Sequence, residues 1–520
     1  MLPRPRVWIP CTLVALATLG WSTSAEAAVV PVTTTAELQA AVANAMPGDE
    51  IVLAPGTYIL DNKLNCTANG TADQPIVIRA DTLGDATVQM NNLEGFHIQG
   101  AHWEIANLDI EGVCADDNNC EHAFHVTGDA EFTHIHHNTV HGFNAHIKAN
   151  GTDTGPMGER VWPDDVVVEY NELYNPAPRN TGNPVTFIDV VGGRRWRVRA
   201  NYIHDFAKGG GNNISYAAFL KGNSRDGIFE RNLVVCEMLH SGQIRLGLSF
   251  GGGGSAPDNI CEDGTCDPEH QNGIMRNNII AHCPADVGIY VNEGANSRIY
   301  NNTLYNTTGI DMRFVSTTGE VRNNLLNGQI RNRDGATANF ASNLEMVSVA
   351  DFQAWFTDPD ALDFSLVDGS MFVDQGETLA EVIDDYCTNI RDDGSHDLGA
   401  LEFDGDGTCN TSVPFEGSDS GGDTDGTTDG GTTDGGTTDG GTTDGGTTDG
   451  GTTGGGTTGG ETTGDSTGGN DDIDGTTAAA DDSVDGGGCS CSSGGSQQGA
   501  GGALALLALL GLGLGRRRRR

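Results

Sequence analysis

Seven acidic, basic or aromatic residues recur at matching places in a repeating pattern. The short stretches are Phe124-His125-Val126, Ile147-Lys148-Ala149, Ile188-Asp189-Val190, Leu220-Lys221-Gly222, Ile244-Arg245-Leu246, Ile289-Tyr290-Val291 and Ile310-Asp311-Met312. Strand side chains alternate between faces. The apolar flanks therefore turn inward, and His125, Lys148, Asp189, Lys221, Arg245, Tyr290 and Asp311 make one outward column. A solvated strand face is also polar, so this pattern alone does not separate a site from a surface. A column mixing acid, base and aromatic groups beside long insertions is, however, how repeat scaffolds build binding grooves. Lys221 and Arg245 are cationic groups on adjacent coils, and such a pair can supply a base and a positive charge for chemistry beside a carboxylate. Like-charge repulsion between them favours a neutral lysine. Arg313 and His270 add further positive groups. Hydrolysis by Asp189 and Asp311 fits poorly, because the intervening coils hold them well beyond the roughly 5 to 9.5 Å that a carboxylate pair needs.

The elements that would position this column repeat along the chain. An asparagine closes a short apolar run at Asn107, Asn138, Asn171, Asn201, Asn232, Asn278, Asn302, Asn324 and Asn343. Most spacings are roughly 20 to 33 residues, the range for one coil of a parallel β-helix. One coil cannot bury its apolar face alone, whereas coils stacked about 4.8 Å apart can. Asparagine tolerates left-handed backbone and bonds along a stack of like residues, so the series reads as an internal turn. The expected fold is all-β: a single-stranded right-handed parallel β-helix with an N-terminal capping helix, followed by a disordered linker. Thr33 to Met46 has the helical spacing for that cap, with Thr34 or Thr35 as N-cap.

Composition divides the 520 residues further. Residues 1–27 read as a secretory signal peptide: Arg4 and Arg6, an apolar core, then Ala25-Glu26-Ala27. Residues 28–410 form the β-helix domain. Residues 411–488 are a Gly/Thr/Asp-rich linker with nothing to pack. Residues 489–520 hold Cys489-Ser490-Cys491, an apolar run too short to span a membrane, and five terminal arginines. Export permits disulfides. Cys114 with Cys120, Cys261 with Cys266, Cys387 with Cys409, and Cys236 with Cys283 are the expected pairs. Zinc is the rival use of those cysteines, but their spacings in acidic loops make poor ligand frames. No metal site and no cofactor are expected. Asp404-Gly405-Asp406 reads as a solvated turn rather than a calcium loop. A net charge of −44 excludes nucleic acid as a partner. An anionic polysaccharide stays open, because lysine and arginine concentrate between Lys148 and Arg333, where a cleft can focus positive field.

Three resemblances follow. Lys221-Gly222, Asn232 and Gly242-Gln243-Ile244-Arg245-Leu246-Gly247 resemble the Lys…Asn…Gly-x-Leu-Arg-x-Gly run of the β-helical polysaccharide lyases that include alginate lyases and chondroitinase B. The resemblance implies β-elimination of a uronate chain, with Lys221 as base and Arg245 assisting. The carry-over stops at those two residues; His125, Lys148, Asp189, Tyr290 and Asp311 from the column, with His270 and Arg313, are expected as substrate contacts on the strength of the repeat pattern and charge. The chain departs from that family where calcium-binding glutamates would stand: those positions are Ile214 and Tyr216. Gly222 also replaces the usual serine beside the lysine. The last thirty residues resemble a MYXO-CTERM-type sorting tag, which implies handling by envelope sorting machinery and attachment at the cell surface or outer membrane. Asn389 to Glu402 resembles the closing segment of secreted β-helix proteins. A monomer is expected. A glycan-binding or adhesive surface protein without chemistry is the alternative reading.

Overall fold

The computed structural model describes residues 28–252, 261–392, 394–403 and 410–411. The expected signal peptide, nearly all of the linker, the sorting tag and Asp404-Gly405-Asp406 lie outside these residues. Among the described residues no helix is long and apolar enough to cross a membrane.

Three parallel sheets wind around one core. The first has ten strands, from Leu64–Cys66 to Gln329–Arg333; the second has twelve, from Val29–Val32 to Thr337–Ala341; the third has ten, from Gly56–Leu60 to Leu325–Leu326. Each coil contributes one strand to each sheet in turn, as Glu94–Ile98, Trp103–Ala106 and Asp109–Gly112 do. Inward residues such as Ile76, Ile78, Phe96, Ile105, Val140, Val198 and Leu248 are fully buried in one continuous apolar column. This is the expected parallel β-helix. The predicted cap is also present as a helix over Thr35–Ala43, whose N-cap Thr34 accepts from the Glu37 amide at 3.2 Å.

The asparagine series forms a ladder between the second and third sheets. The side-chain amides of Asn138, Asn171, Asn201, Asn232, Asn278, Asn302 and Asn324 each donate to the next asparagine's Oδ1, at 2.9 to 3.1 Å, ending on Asn343. Each Nδ2 also donates to backbone carbonyls, as Asn232 does to Val198 at 2.8 Å. Asn107 is the exception in the expected series. The first Oδ1, from Asn138, receives the Leu108 amide, and Asn107 sits one place earlier. That earlier place is left-handed in successive coils: Asn107, His137, Tyr170, Ala200, Arg231, Asn277, Asn301, Asn323 and Ser342 have φ of 50° to 58°. The ladder asparagine thus supplies the side chain, while its predecessor makes the turn.

Replacing Asn232 with alanine removes an amide that is buried and bonded on both sides. Asn201 loses its acceptor, and the Val198 carbonyl and Asn278 Oδ1 lose a donor. The expected loss is about 3–5 kcal/mol, read as a lower urea midpoint.

Residues 344–403 cover the outside of the third sheet. Tyr202, Leu233, Val235, Ile279 and Tyr305 pack there against Phe352, Phe356, Phe364, Phe372 and Leu401 in a second apolar core. Within this cover Arg391 and Glu402 form a fully buried ion pair, and Arg391 also donates to the Gly399 carbonyl at 3.0 Å. Cys114–Cys120, Cys236–Cys283 and Cys261–Cys266 are bonded as expected. Cys387 is disulfide-bonded; its expected partner Cys409 is outside the described residues.

Candidate active site

The outward column on the first sheet exists, with a different membership. Strand register runs His125, Lys148, Asp189, Phe219, Ser249, Tyr290, Asp311, Arg331. Phe219 and Ser249 occupy the places expected for Lys221 and Arg245. The reason is strand length: Ile214–Lys221 and Ile244–Phe250 are longer than their alignment on short apolar triplets implies. A two-residue slip leaves the same face outward, so the apolar pattern is blind to it. Lys221 remains on that face, one column over, beside Val191.

Arg245 does not. In three adjacent strands the pairing skips one residue, at Phe187, Ala217 and Gly247. Alternation inverts across that skip, and Arg245 lies before it. Its guanidinium is buried under the 236–243 turn, where it donates to the Gly242 carbonyl at 2.9 Å, to the Cys236 carbonyl and toward His240 Nδ1 at 2.9 Å. Arg245 pairs with Ser215, six residues before Lys221, about 20 Å along the strand direction. It braces a turn and does not join the lysine.

His270 is likewise structural. Its ring is fully buried, stacks on Phe250 at 4.3 Å and meets Ser224 Oγ at 2.7 Å. Burial pushes its pKa down to about 3, so it is neutral near pH 7.

What the first sheet does assemble is a carboxylate between two lysines on successive coils. Lys148 Nζ lies 2.9 Å from Asp189 Oδ2. Burial raises the Asp189 pKa, but Lys148 and Lys221 together outweigh it and hold the carboxyl below its ordinary value. Asp189 Oδ1 is buried without a hydrogen-bond partner. Lys221 Nζ sits 4.7 Å from the centre of the Phe219 ring.

The chain after Lys221 is clamped. The Gly222 amide donates to Glu269 Oε2 at 2.6 Å, and its carbonyl accepts from the Glu262 amide at 3.1 Å. Glu262 also accepts from the Gly193 amide at 2.8 Å and pairs with Arg194 and Arg225 at 3.2 and 3.3 Å. Gly222 has φ +73°, and a Cβ there would lie 2.7 Å from Val191 and 2.9 Å from the Gly192 amide. That explains glycine where the resembling family has serine. The described part of the Gly251 to His270 insertion is therefore a wall at this edge of the sheet.

The other expected contacts distribute along the face. His125 reaches Glu94 at 3.2 Å and Asn150 at 2.7 Å. Tyr290 is nearly buried in an apolar patch with Leu246 and Val287, against which Ile214 and Tyr216 pack. The positions of the missing glutamates are thus filled by apolar surface. Arg313 donates to Tyr290 at 3.4 Å and pairs with Asp334. Asp311 is paired twice, with Arg331 and Arg333, each at 2.7 Å. Phe219, Arg194, Arg225, Arg331 and Arg333 join the surface without having been expected there. The alternation of Gln329–Arg333 carried the signal for the last two.

A family model agrees with the architecture of the first coils. The family described as "Pel9A-like, right handed beta helix region" matches residues 19–159. A search of curated proteins finds no match. Among solved structures, the pectate lyase Pel9A is 14% identical with a TM-score of 0.49, covering 72% of this chain and 97% of that one. An alginate lyase from Paenibacillus sp. str. FPU-7 is 18% identical with a TM-score of 0.35, covering 61% and 95%. A lacto-N-biosidase from Eubacterium ramulus is 11% identical with a TM-score of 0.36, covering 61% and 64%.

Proposed function

We propose that this chain is a polysaccharide lyase that cleaves a uronate-containing polymer by β-elimination, with Lys221 as the base. The observation that carries the reading is the Lys148–Asp189–Lys221 group on the outer face of the first sheet. Asp189 is paired with Lys148 and feels the charge of Lys221, so the trio carries a net charge of +1, which attracts a uronate carboxylate. One lysine can also give up its proton while Asp189 stays paired with the other. The Lys221 amine takes the C5 proton, the C4–O bond breaks with its electron pair leaving on the glycosidic oxygen, that oxygen takes the proton back from the Lys221 ammonium, and a C4–C5 double bond remains. Lys148 takes over the charge-stabilising role first expected of Arg245. His125 and Arg313 lie along the same track, and the nearly buried Phe219, Tyr290 and Asp311 form its floor.

The reading includes an exported, monomeric protein held at the cell surface through its C-terminus by sorting machinery. The signal-like residues 1–27, the tag-like residues 489–520 and the disulfides support it. The test is a screen of alginate, chondroitin and pectate, following the ultraviolet absorbance of the new double bond. Growth of that absorbance on at least one polymer is expected. Binding of a uronate polymer with no absorbance would replace the lyase by the glycan-binding alternative, which the burial of Arg245 favours.

A further inference from the structure

The second sheet carries a column of acid–base pairs across successive coils. Arg79 pairs with Glu50, Arg199 with Glu169, and Arg276 with Glu230. Arginine has no lone pair to offer a metal. Between Glu104 and Glu169 the pattern changes, because the strand there is His134–His136. Two imidazoles two residues apart on one strand share a face. Their rings stack at 4.1 Å.

We propose that Glu104, His134 and His136 form a binding site for a divalent first-row transition-metal ion, with Zn²⁺ as the representative, tying two consecutive coils together. One ligand atom from each of the three residues lies within 4.8 Å of the others. Metal–ligand bonds of about 2.0–2.1 Å place tetrahedral ligands roughly 3.4 Å apart, so modest ring rotation closes the set. His136 Nε2 is already 3.2 Å from Glu104 Oε1.

The supports for such a site are in place. His136 Nδ1 is engaged with His137 Nδ1 at 2.8 Å, which leaves Nε2 for the ion. His134 is held by Glu169 at 2.7 Å, and Glu169 is held in turn by Arg199. Carboxylate-backed imidazoles of this kind orient metal ligands. The three side chains are 17% to 33% exposed, open enough for an ion to enter. Two imidazoles and one carboxylate suit Zn²⁺, Co²⁺, Ni²⁺ or Cu²⁺ rather than Ca²⁺ or Mg²⁺. The site is on the second sheet, whereas Lys221 is on the first, so it stands independently of the lyase reading.

The experiment uses the full chain without a histidine tag. Calorimetric titration with Zn²⁺ and absorption with Co²⁺ report affinity and coordination. One ion per chain is expected, with a Co²⁺ visible band. Both His136→Ala and Glu104→Gln should weaken Zn²⁺ at least about tenfold and abolish that band. Glu104→Gln keeps the side-chain shape, so it decides the matter even if the histidine variant folds poorly. Absence of Zn²⁺ uptake by the wild type overturns the proposal. So does affinity unchanged in the variants, which would assign the ion to another group such as the stacked His97 and His125.

Discussion

Lys221→Ala is expected to lower elimination by about 10²–10⁴-fold, the usual worth of a positioned general base, while polymer binding is nearly retained. The proposed contacts are spread over several coils, from His125 to Arg333, so the loss of one outward side chain should change binding little. The fold should be indifferent, since the Lys221 amine faces outward and the core beneath it is built by Leu220 and its neighbours. Arg245→Ala should behave in the opposite way. It leaves the Cys236 and Gly242 carbonyls without their buried donor, which costs about 3 kcal/mol and loosens the 236–243 turn. Turnover per folded molecule should hardly change. Steady-state rates and urea midpoints on the two variants separate the roles. Full turnover in Lys221→Ala would falsify the assignment of the base.

Stability should collapse on mild acidification. His122, His146 and His270 are held neutral by burial, with pKa values pushed down to about 3, and His97 to about 4. The unfolded chain takes these protons near pH 6.5. Each folded pKa lies below its unfolded value, so the unfolded state binds more protons below pH 6.5. The contribution is complete above that pH and is lost as the pH falls toward 3 to 4. Between pH 6.5 and 4.5 each histidine costs about 2 kcal/mol. The four together reach about 8 kcal/mol, comparable to the whole net stability of a domain. Carboxylates held below their ordinary range, such as Glu169 at about 2 through burial offset by His134 and Arg199, add their loss only at still lower pH. Urea midpoints at pH 7.0, 5.5 and 4.5 should fall steeply. A flat series across that range would exclude neutral buried histidines as the cause.

The coil repeat, the capping helix and the asparagine ladder were legible because each follows from a short-range rule that every coil repeats. The turn asparagines announced themselves through apolar runs that must end together. Register was legible only modulo two residues. The apolar triplets place Lys221 outward, as it is, but cannot tell whether Phe219 or Lys221 shares a rung with Asp189. Arg245 was misplaced because the skipped residues at Ala217 and Gly247 leave no mark in an Ala-Ala or Leu-Gly-Leu sequence. His270 looked like a surface cation because nothing local shows that Phe250 and Ser224 enclose it. Side-chain identity fixes chemistry, but sidedness after an irregular strand is a tertiary property.

The ladder has a consequence for how such a chain can change. Neighbouring ladder asparagines are separated by as few as 19 residues and as many as 46. Their hydrogen bonds nevertheless stay within 2.9 to 3.1 Å throughout. Coil length is thus decoupled from stacking geometry: a segment as large as that from Gly251 to His270 enters one coil without altering how the next one seats. Each coil behaves as a cassette, fixed at its asparagine and free to grow at its outer turns. Loops bordering the lysines can therefore be lengthened, shortened or exchanged while the interior needs no redesign.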